Sequence, residues 1–428
     1  MDLGRRAFVT GLAAAPALLA ARRGAAAPIL SPENFGVGEA TIRHANAWLE
    51  VSRSAFEANI QRVRDTIGPK VKICAVMKAD AYGHGAALLV KSVIAKKVEC
   101  IGFTSNEEAR IARALGFHGA LARLRLATPG EIEDGLHYDI QELVSNLDYA
   151  RDVAEIGRAH RKRVPIHLAL NSAGMSRNGI EVGTEEGMLE ALEIPKLHEL
   201  ELVGIMTHFP IEEEPDVRKS LAAFNEQSAA FIARGRLDRT KLTLHTANSF
   251  ATLMVPESRL DMVRTGGALY GDTVEGKDYE RVATFKSAVA SVLHFPAGDT
   301  VSYDRTWKLA RPSILANIPV GYSDGLRRIF SNGNDASNPS SHSVVLIHGT
   351  KVPLLGRVTM NTFMADVTDL AQPVKIGDEV VLVGRQGGAE ITYSEIEASA
   401  NTNETSTKTI AADLYTVWGN SLPKILVS

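Results

Sequence analysis

Short apolar runs alternate with amphipathic segments along the first two-thirds of this 428-residue chain, and this alternation is what most restricts its fold. After an amphipathic stretch at 54–67, eight strand-like runs follow one another, at 71–77, 100–103, 121–127, 140–145, 164–170, 202–208, 242–246 and 261–265. Helix-like segments lie between them, for example at 84–97, 107–115, 147–161 and 217–234. A closed (β/α)8 barrel requires eight such units. The sequence therefore predicts an α/β fold with a (β/α)8 barrel over residues 45–284.

Beyond residue 285 the pattern changes to short β-rich segments separated by Gly, Pro and Asp turns. These segments lie at 287–293, 314–319, 343–347, 364–367 and 379–383. They predict a C-terminal, mostly antiparallel β domain over residues 285–428. The polar runs at 331–343 and 401–407 are expected to be exposed loops.

The charge balance argues against one class of partner. The net charge is −3, and charges of both signs are spread along the chain, so no basic surface for nucleic acid is predicted. Apolar residues make up 45% of the chain, which is enough for a large core. Chemistry on a small molecule is the better expectation.

The N-terminus has the pattern of an export signal. Arg5 and Arg6 precede an apolar stretch at 7–21 that is too short to span a bilayer but suits a signal peptide. The arginine pair favours twin-arginine export, which carries folded proteins. We predict a signal peptide at 1–27, cleaved within 24–27, and a mature periplasmic protein without a membrane segment. A membrane anchor or a chance arginine pair is the alternative.

The two cysteines fall on strand-like runs that are expected to be neighbours. Cys74 precedes Lys78 on the first run, and Cys100 opens the second. In an oxidising compartment a disulfide between them would close a loop of about 25 residues and contribute roughly 3 kcal/mol. Two buried free thiols are the alternative. With the export signal present, the disulfide is the prediction.

One lysine has the setting of a covalent catalyst. Residues 75–85 read AVMKADAYGHG, with Lys78 at the end of an apolar run. A lysine amine condenses with an aldehyde cofactor, and burial lowers its pKa toward the neutral form that this reaction needs. Lys78 is therefore the candidate Schiff-base residue.

Further polar groups follow other strands of the predicted barrel. In such barrels the reactive side chains converge at the C-terminal ends of the strands. Arg177, His208 and Ser249 follow later strands, and Arg264 is followed by the pair Gly266 and Gly267. Small residues there would let backbone N–H groups approach a phosphate, and the hydroxyls of Tyr82 and Ser249 could add donors. No metal ligands are predicted.

These segments together resemble the alanine racemase family, whose members use pyridoxal 5'-phosphate. The resemblance rests on AVMKADAYGHG at 75–85, MTHFP at 206–210, HTANS at 245–249, VRTGGALYG at 263–271, VSYDRT at 301–306, VGYSDG at 320–325 and GRVTMN at 356–361. It runs in order through nearly the whole mature chain. It implies a homodimer with shared active sites.

The resemblance assigns roles to individual residues. Lys78 would hold the cofactor and act as one catalytic base, and Tyr303 of the partner subunit would be the other. Arg264 would contact the pyridine nitrogen and His208 the ring. The phosphate contacts would come from Tyr82, Ser249, Gly266, Gly267 and Tyr415. Arg177 would bind the substrate carboxylate, together with the backbone of Met360 of the partner subunit.

One segment departs from ordinary alanine racemases and bears on the substrate. Those enzymes carry a lysine on the fifth strand that holds the substrate-facing arginine, but no lysine lies between Lys162 and Arg177. Asn171 or a bound anion could orient Arg177 instead. NSAGMSRN at 171–178, LARLRL at 121–126 and the cysteine pair resemble the periplasmic broad-specificity racemases. The resemblance therefore implies action on Lys, Arg, Met and Ala.

Three alternatives remain at this point. A dedicated alanine racemase would share nearly every motif. A pyridoxal-phosphate-dependent decarboxylase on the same barrel would lack a tyrosine base, and VSYDRT argues against it. A non-catalytic pyridoxal-phosphate-binding protein usually consists of the barrel alone.

Overall fold

A computed structural model describes residues 44–272, 278–333, 343–403 and 410–428 of the chain. Within them the β-strands are β1 Ala47–Ser52, β2 Lys72–Val76, β3 Cys100–Phe103, β4 Ala120–Arg123, β5 Ile140–Val144, β6 Val164–Ala169, β7 Leu200–Met206, β8 Thr243–His245, β9 Met262–Thr265, β10 Ala283–Ala288, β11 Ser291–Phe295, β12 Thr300–Val301, β13 Trp307–Lys308, β14 Ser313–Ile318, β15 Val344–Ile347, β16 Thr350–Leu355, β17 Phe363–Asp366, β18 Glu379–Gln386, β19 Ala389–Ile391 and β20 Lys424–Val427. The helices are Arg53–Ile67, Lys78–Tyr82, Ala86–Ala95, Asn106–Ala114, Pro129–Gly135, Leu147–Ala159, Glu185–Glu193, Glu214–Arg234, Ser249–Met254, Gly267–Tyr270, Tyr393–Asn403 and Ala411–Ser421. The predicted signal peptide lies outside the described residues.

The eight strands β2 to β9 form one parallel sheet, as the sequence predicts. Their order is β8-β7-β6-β5-β4-β3-β2-β9. Two backbone hydrogen bonds join the ends of this order, from Asp261 N–H to Leu244 O (3.1 Å) and from Arg264 N–H to Ala247 O (2.9 Å). All four residues of β3 are buried, as expected where helices cover the outside of a parallel sheet. The barrel is confirmed.

Helix starts between these strands are set by local capping. Ser105 and Glu108 form a reciprocal capping box at the helix Asn106–Ala114, and Thr128 and Glu131 form one at Pro129–Gly135. Each box satisfies backbone N–H groups that the first turn leaves unpaired. Such caps decide where each strand gives way to its helix.

A second sheet of ten strands makes up the C-terminal domain. Its order is β11-β14-β17-β16-β15-β18-β10-β1-β20, with β19 paired to β18. All of these pairs are antiparallel except β1 with β20, so the prediction of a mostly antiparallel domain is confirmed. A separate two-stranded hairpin, β12 with β13, carries Tyr303 in its connection.

The first strand corrects the expected division of the chain. The sequence predicts a barrel over 45–284, which includes β1, yet β1 pairs with β10 and β20 of the second sheet. Its side chains alternate between buried and half-buried, which is the pattern of a strand with one covered face. From β1 in the C-terminal sheet, the chain thus enters the barrel at the helix Arg53–Ile67.

Two features of the C-terminal region also differ from the sequence expectation. The helices Tyr393–Asn403 and Ala411–Ser421 pack in a region expected to be β-rich, and the first occupies part of the loop expected at 401–407. At the ends of the exposed loop expected at 331–343, Asn332 and Ser343 are buried instead. Residues 334–342 and 404–409 lie outside the described residues.

The cysteines lie where expected, but without the expected bond. Cys74 and Cys100 are direct register partners on β2 and β3. Both are buried free thiols, so the predicted disulfide is not part of this structure and the alternative of two free thiols describes it. The Cys74 thiol hydrogen bonds with Cys100 and raises the pKa of that thiol, and burial raises it further. Packing as small apolar side chains accounts for both residues.

Candidate active site

A cavity of about 410 Å³ opens at the C-terminal ends of the barrel strands. Nine of the eleven cofactor-binding, substrate-binding and catalytic residues predicted from the sequence line it: Lys78, Tyr82, Arg177, His208, Ser249, Arg264, Gly266, Gly267 and Tyr415. Among the described residues that line it, Lys78 is the only lysine. Tyr415 reaches the cavity from the C-terminal helix Ala411–Ser421, so both domains contribute to its wall.

Lys78 opens a short left-handed turn. The next four residues, 79–82, all have positive φ, between 53° and 56°. This conformation costs roughly 1–2 kcal/mol for each non-glycine residue and persists only where surrounding contacts hold it. The Glu108 carboxylate accepts the Asp80 N–H (2.9 Å), and the Asp80 side chain accepts the Ala86 N–H (2.7 Å) and lies 3.0 Å from Lys424 Nζ. These contacts place the amine at the end of β2.

The electrostatic setting of Lys78 favours a neutral amine. Burial lowers the pKa of Lys78, and the positive charges of Arg177 and Arg264 lower it further. Its Nζ lies 5.5 Å from the centre of the Tyr82 ring. The neutral amine is the form that attacks an aldehyde, and a lowered pKa increases the fraction of the amine in that form.

One end of the cavity is built from small residues and hydroxyl groups. Ser249 Oγ accepts the N–H groups of Gly266 and Ala268, both at 3.1 Å. A Cβ at Gly266 would lie 2.4 Å from Tyr82 Oη, so only glycine fits there. The Tyr415 hydroxyl donates to Asp272 (2.8 Å), and burial raises the pKa of Tyr415. Uncharged hydroxyl groups and glycine backbone therefore line this end of the cavity, and such a surface can bind a phosphate.

Arg264 is anchored by several acceptors and is 5% exposed. It donates to the carbonyl oxygens of His245 (2.8 Å), Thr207 (2.9 Å) and Thr246 (3.0 Å). Burial lowers the pKa of Arg264 to about 10, so the guanidinium stays charged at neutral pH. His208 Nδ1 lies 3.3 Å from Arg264 Nη2, and burial lowers the pKa of His208 to about 3. The charged guanidinium of Arg264 and the neutral imidazole of His208 therefore lie side by side in the cavity wall.

Arg177 lies on the loop that follows β6, and Asn171 organises that loop. Asn171 Oδ1 accepts the N–H of Ser176 (2.7 Å), and its Nδ2 donates to Glu181 (2.8 Å). In the described part of the chain, the hydrogen bonds of this amide thus go to the loop rather than to the guanidinium. Asn171 acts on the backbone that presents Arg177.

Two predicted residues do not line the cavity of their own chain. Tyr303 is 68% exposed and Met360 is 53% exposed, both on the C-terminal domain. The turn around Tyr303 has positive φ at Ser302, Asp304 and Arg305, and an ion pair of 2.7 Å between Arg357 and Asp304 holds it. This is a strained, tethered turn that presents an exposed phenol.

The backbone at Met360 is held in place by Ser323 and Gly321. Its carbonyl accepts both the N–H (3.0 Å) and the hydroxyl (2.7 Å) of Ser323. A Cβ at Gly321 would lie 2.3 Å from the same carbonyl, so the two segments are in close contact. A carboxylate could be bound at Met360 only through its amide N–H, since carbonyl oxygens do not donate.

Arg123, part of the LARLRL segment, is structural rather than exposed to the cavity. Its guanidinium pairs with Glu142 at 2.7 Å, and both side chains are at most 2% exposed. It also donates to Asn106 Oδ1 (2.6 Å). Arg125 pairs with Glu131 at the surface. These arginines hold strands to neighbouring helices.

Sequence reasoning missed several residues of the site. Asp272 lines the cavity and binds Tyr415, and its position directly after VRTGGALYG could have indicated it. Tyr270 donates to Val76 O (3.0 Å) and lies 4.9 Å from Tyr82, centre to centre. Nothing in the local pattern signalled the left-handed turn at 79–82.

Comparisons with known proteins agree with this geometry. The family model for the alanine racemase N-terminal domain matches residues 51–274, and that for the C-terminal domain matches residues 282–425. A broad specificity amino-acid racemase of Pseudomonas putida is 55% identical over 403 residues, covering 94% of each chain. A lysine racemase of Proteus mirabilis is 46% identical over 382 residues, covering 89% of this chain and 90% of the relative.

Solved structures show the same architecture. Alanine racemase from a D-cycloserine-producing Streptomyces lavendulae aligns with a TM-score of 0.79 and 28% identity, over 90% of this chain and 97% of the other. Alanine racemase of Streptomyces coelicolor aligns with a TM-score of 0.78 and 28% identity, over 90% and 98%. Two family models that together cover most of the chain, and relatives well above 30% identity along nearly its whole length, place this protein in the alanine racemase family of isomerases.

Proposed function

We propose that this protein is a pyridoxal-phosphate-dependent racemase of broad specificity that works as a homodimer and takes its two catalytic bases from different subunits. The observation that carries this proposal is the cavity itself. It holds Lys78, whose pKa is lowered, beside a charged arginine and a wall of hydroxyls and glycines. Family membership supports the same chemistry.

The residues present fit the cofactor. Lys78 would hold its aldehyde carbon, Arg264 would face its ring nitrogen, and Ser249 with the neighbouring glycines would hold its phosphate. The Tyr82 hydroxyl lies so close to Gly266 that a Cβ there would be 2.4 Å from Oη, and this contact places a hydroxyl donor beside the glycine backbone where the phosphate would bind. When bound, pyridoxal phosphate acts as an electron sink that makes the Cα proton of an amino acid removable.

The side chains then divide the proton transfer. Racemisation removes the Cα proton on one face and returns a proton on the other, which requires two bases. Lys78, which is buried and has a lowered pKa, would serve one face. Tyr303 of the partner subunit would serve the other, because the same residue in its own chain is exposed and lies outside its own cavity.

The charge on Arg264 influences the outcome of the reaction. A guanidinium that stays charged cannot readily protonate a ring nitrogen, so Arg264 would limit the delocalisation of electrons into the ring of a bound cofactor. Return of a proton at Cα would then be favoured over transfer of the amino group. Three carbonyl acceptors hold Arg264 in this role.

Broad specificity is supported by the relatives and by the loop that carries Arg177. Relatives at 55% and 46% identity are named broad specificity and lysine racemases. In this chain Asn171, an uncharged side chain, organises that loop. One methylene in an apolar site discriminates by only about 1–3 kcal/mol, so small changes at the mouth can admit longer side chains.

A substrate panel tests the proposal. Purified protein should convert L-Ala, L-Lys, L-Arg and L-Met to their D forms, as measured by chiral chromatography, with β-branched L-Val as the contrasting substrate. Borohydride reduction followed by peptide mapping should label Lys78. Activity confined to alanine would contradict broad specificity, and label on another amine would contradict the assigned base.

Export to the periplasm is also part of this proposal, and the N-terminal signal supports it. In the described ranges no helix combines the length and the apolar character that crossing a bilayer requires. Cell fractionation of a strain producing the full chain should find the racemase in the periplasmic fraction. Replacement of Arg5 and Arg6 by lysine should retain it in the cytoplasm.

A further inference from the structure

A row of polar side chains leads from Arg264 across the inside of the barrel, through two buried histidines to the half-buried Gln141. Arg264 Nη1 lies 3.1 Å from His245 Nδ1, and His245 Nε2 lies 2.9 Å from His167 Nδ1. His167 Nε2 lies 2.8 Å from Gln141 Oε1. Both histidines are at most 3% exposed. Four side chains from β9, β8, β6 and β5 are therefore linked across the inside of the barrel.

Arg264 sets the direction in which hydrogen bonds are donated along this row. A guanidinium has donors only, so His245 Nδ1 must accept and His245 must carry its proton on Nε2. That proton is donated to His167 Nδ1, which leaves the His167 proton on Nε2 to be donated to Gln141 Oε1. Each ring is then neutral, with one donor and one acceptor, and both nitrogens are used.

Burial agrees with neutral rings. It lowers the pKa of His167 to about 4 and that of His245 well below its ordinary value, and the charge of Arg264 acts in the same direction. A protonated ring would place an N–H against the guanidinium or against the neighbouring ring.

The backbone makes room for this row. β7 runs between β6 and β8, and its Gly204 has no side chain where a Cβ would lie 2.2 Å from His167 Nδ1. The pairing of β6 with β7 also shifts register between Ile166 and His167. Any larger residue at position 204 would block the contact between the two histidines.

We propose that His245, His167 and Gln141 form a relay, a chain of hydrogen bonds in which each donor points away from Arg264, and that this relay orients Arg264. His167 and Gln141 are then positioning residues of the active site. The role of Arg264 toward the cofactor rests on the proposed function; the direction of the relay does not. If His245 took the other tautomer, its Nδ1–H would point at Arg264 Nη1 and push the guanidinium from its place.

The first test reads the tautomers directly. Holoenzyme labelled with ¹⁵N-histidine is studied by magic-angle-spinning NMR at neutral pH, with a His245→Gln variant used only to assign signals. We expect His245 and His167 to be neutral and protonated on Nε2. A doubly protonated ring, or a proton on Nδ1 of either residue, would overturn the relay. This result does not depend on the protein being a racemase.

The second test separates positioning from simple packing. His167→Asn keeps an acceptor near the position of Nδ1, whereas His167→Leu removes it and leaves the His245 Nε2–H buried without a partner. We expect His167→Leu to lower kcat by about tenfold with KM little changed, as loss of one buried hydrogen bond implies. His167→Leu should also raise the fraction of turnovers that end as keto acid.

The comparison of His167→Asn with His167→Leu decides whether His167 is a positioning residue. His167→Asn should retain most of the wild-type kcat and product ratio. Equal losses in the two variants, or none in either, would refute it. If His167→Leu fails to fold, the tautomers of the wild-type protein still decide whether the relay exists.

Discussion

Mixing two inactive variants gives a sharp test of the shared active site. Lys78→Ala removes one base, and Tyr303→Phe removes the phenol of the other while keeping its ring. Each single variant should lose about 10²–10⁴-fold in racemisation, the usual contribution of a positioned acid or base. Tyr303→Phe should keep the cofactor absorbance, because it leaves Lys78, Arg264 and Ser249 unchanged.

The magnitude for the mixed dimer follows from which chain supplies each base. In a dimer of one Lys78→Ala chain and one Tyr303→Phe chain, one site combines both defects, and the other combines an intact Lys78 with an intact Tyr303. About half of the sites should therefore work, as two-fold symmetry requires. If both bases came from one chain, each site would carry one defect and none would work.

Co-expression of the two variants with different affinity tags isolates the mixed dimer. Its racemase activity per dimer, measured with L-Lys or L-Ala, should be about half that of the wild type. Tagged homodimers of each variant are the controls. Activity no higher than that of these homodimers, or failure to recover any mixed dimer, would refute the shared site.

Two further predictions concern packing and titration. Gly266→Ala places a methyl group 2.4 Å from Tyr82 Oη. Overpacking of this kind costs about 1–3 kcal/mol, so the variant should bind the cofactor about tenfold more weakly in a fluorescence titration. The control Gly130→Ala, whose methyl group would meet nothing within 4 Å, should leave binding unchanged. Burial lowers the pKa of His84 to about 4, so the unfolded chain takes up a proton below pH 6.5 that the folded protein refuses, and folding stability falls between pH 6.5 and 4 by up to about 3 kcal/mol. The melting temperature of the wild type should therefore fall more steeply over this interval than that of His84→Asn, and parallel curves would contradict the assignment.

Much of the barrel could be read from the chain because its contacts are local in sequence. Each strand of β2 to β8 pairs with the next, so the order of apolar runs gives the order in the sheet. Residues that follow the strands then meet at one end, which is why Lys78, His208 and Arg264 could be placed in one site. The family motifs added the roles that spacing alone does not supply.

The two cysteines show that adjacency of two strands can be predicted from the sequence while a covalent bond between them cannot. Their runs were correctly expected to be adjacent, since consecutive strands of the barrel pair. Whether two adjacent thiols are joined depends on geometry and oxidation, which sequence spacing does not determine. The structure holds them as free thiols.

The sequence by itself determined the repeating strand–helix order, the residues that end each strand, and the family to which these residues belong. Only the tertiary structure decided that β1 joins the C-terminal sheet, that the residues after Lys78 turn left-handed, and that His167 meets His245 across Gly204. It also placed Tyr303 outside the cavity of its own chain. These features depend on contacts between distant segments, and the local preferences of a segment carry no information about which distant partner will hold it.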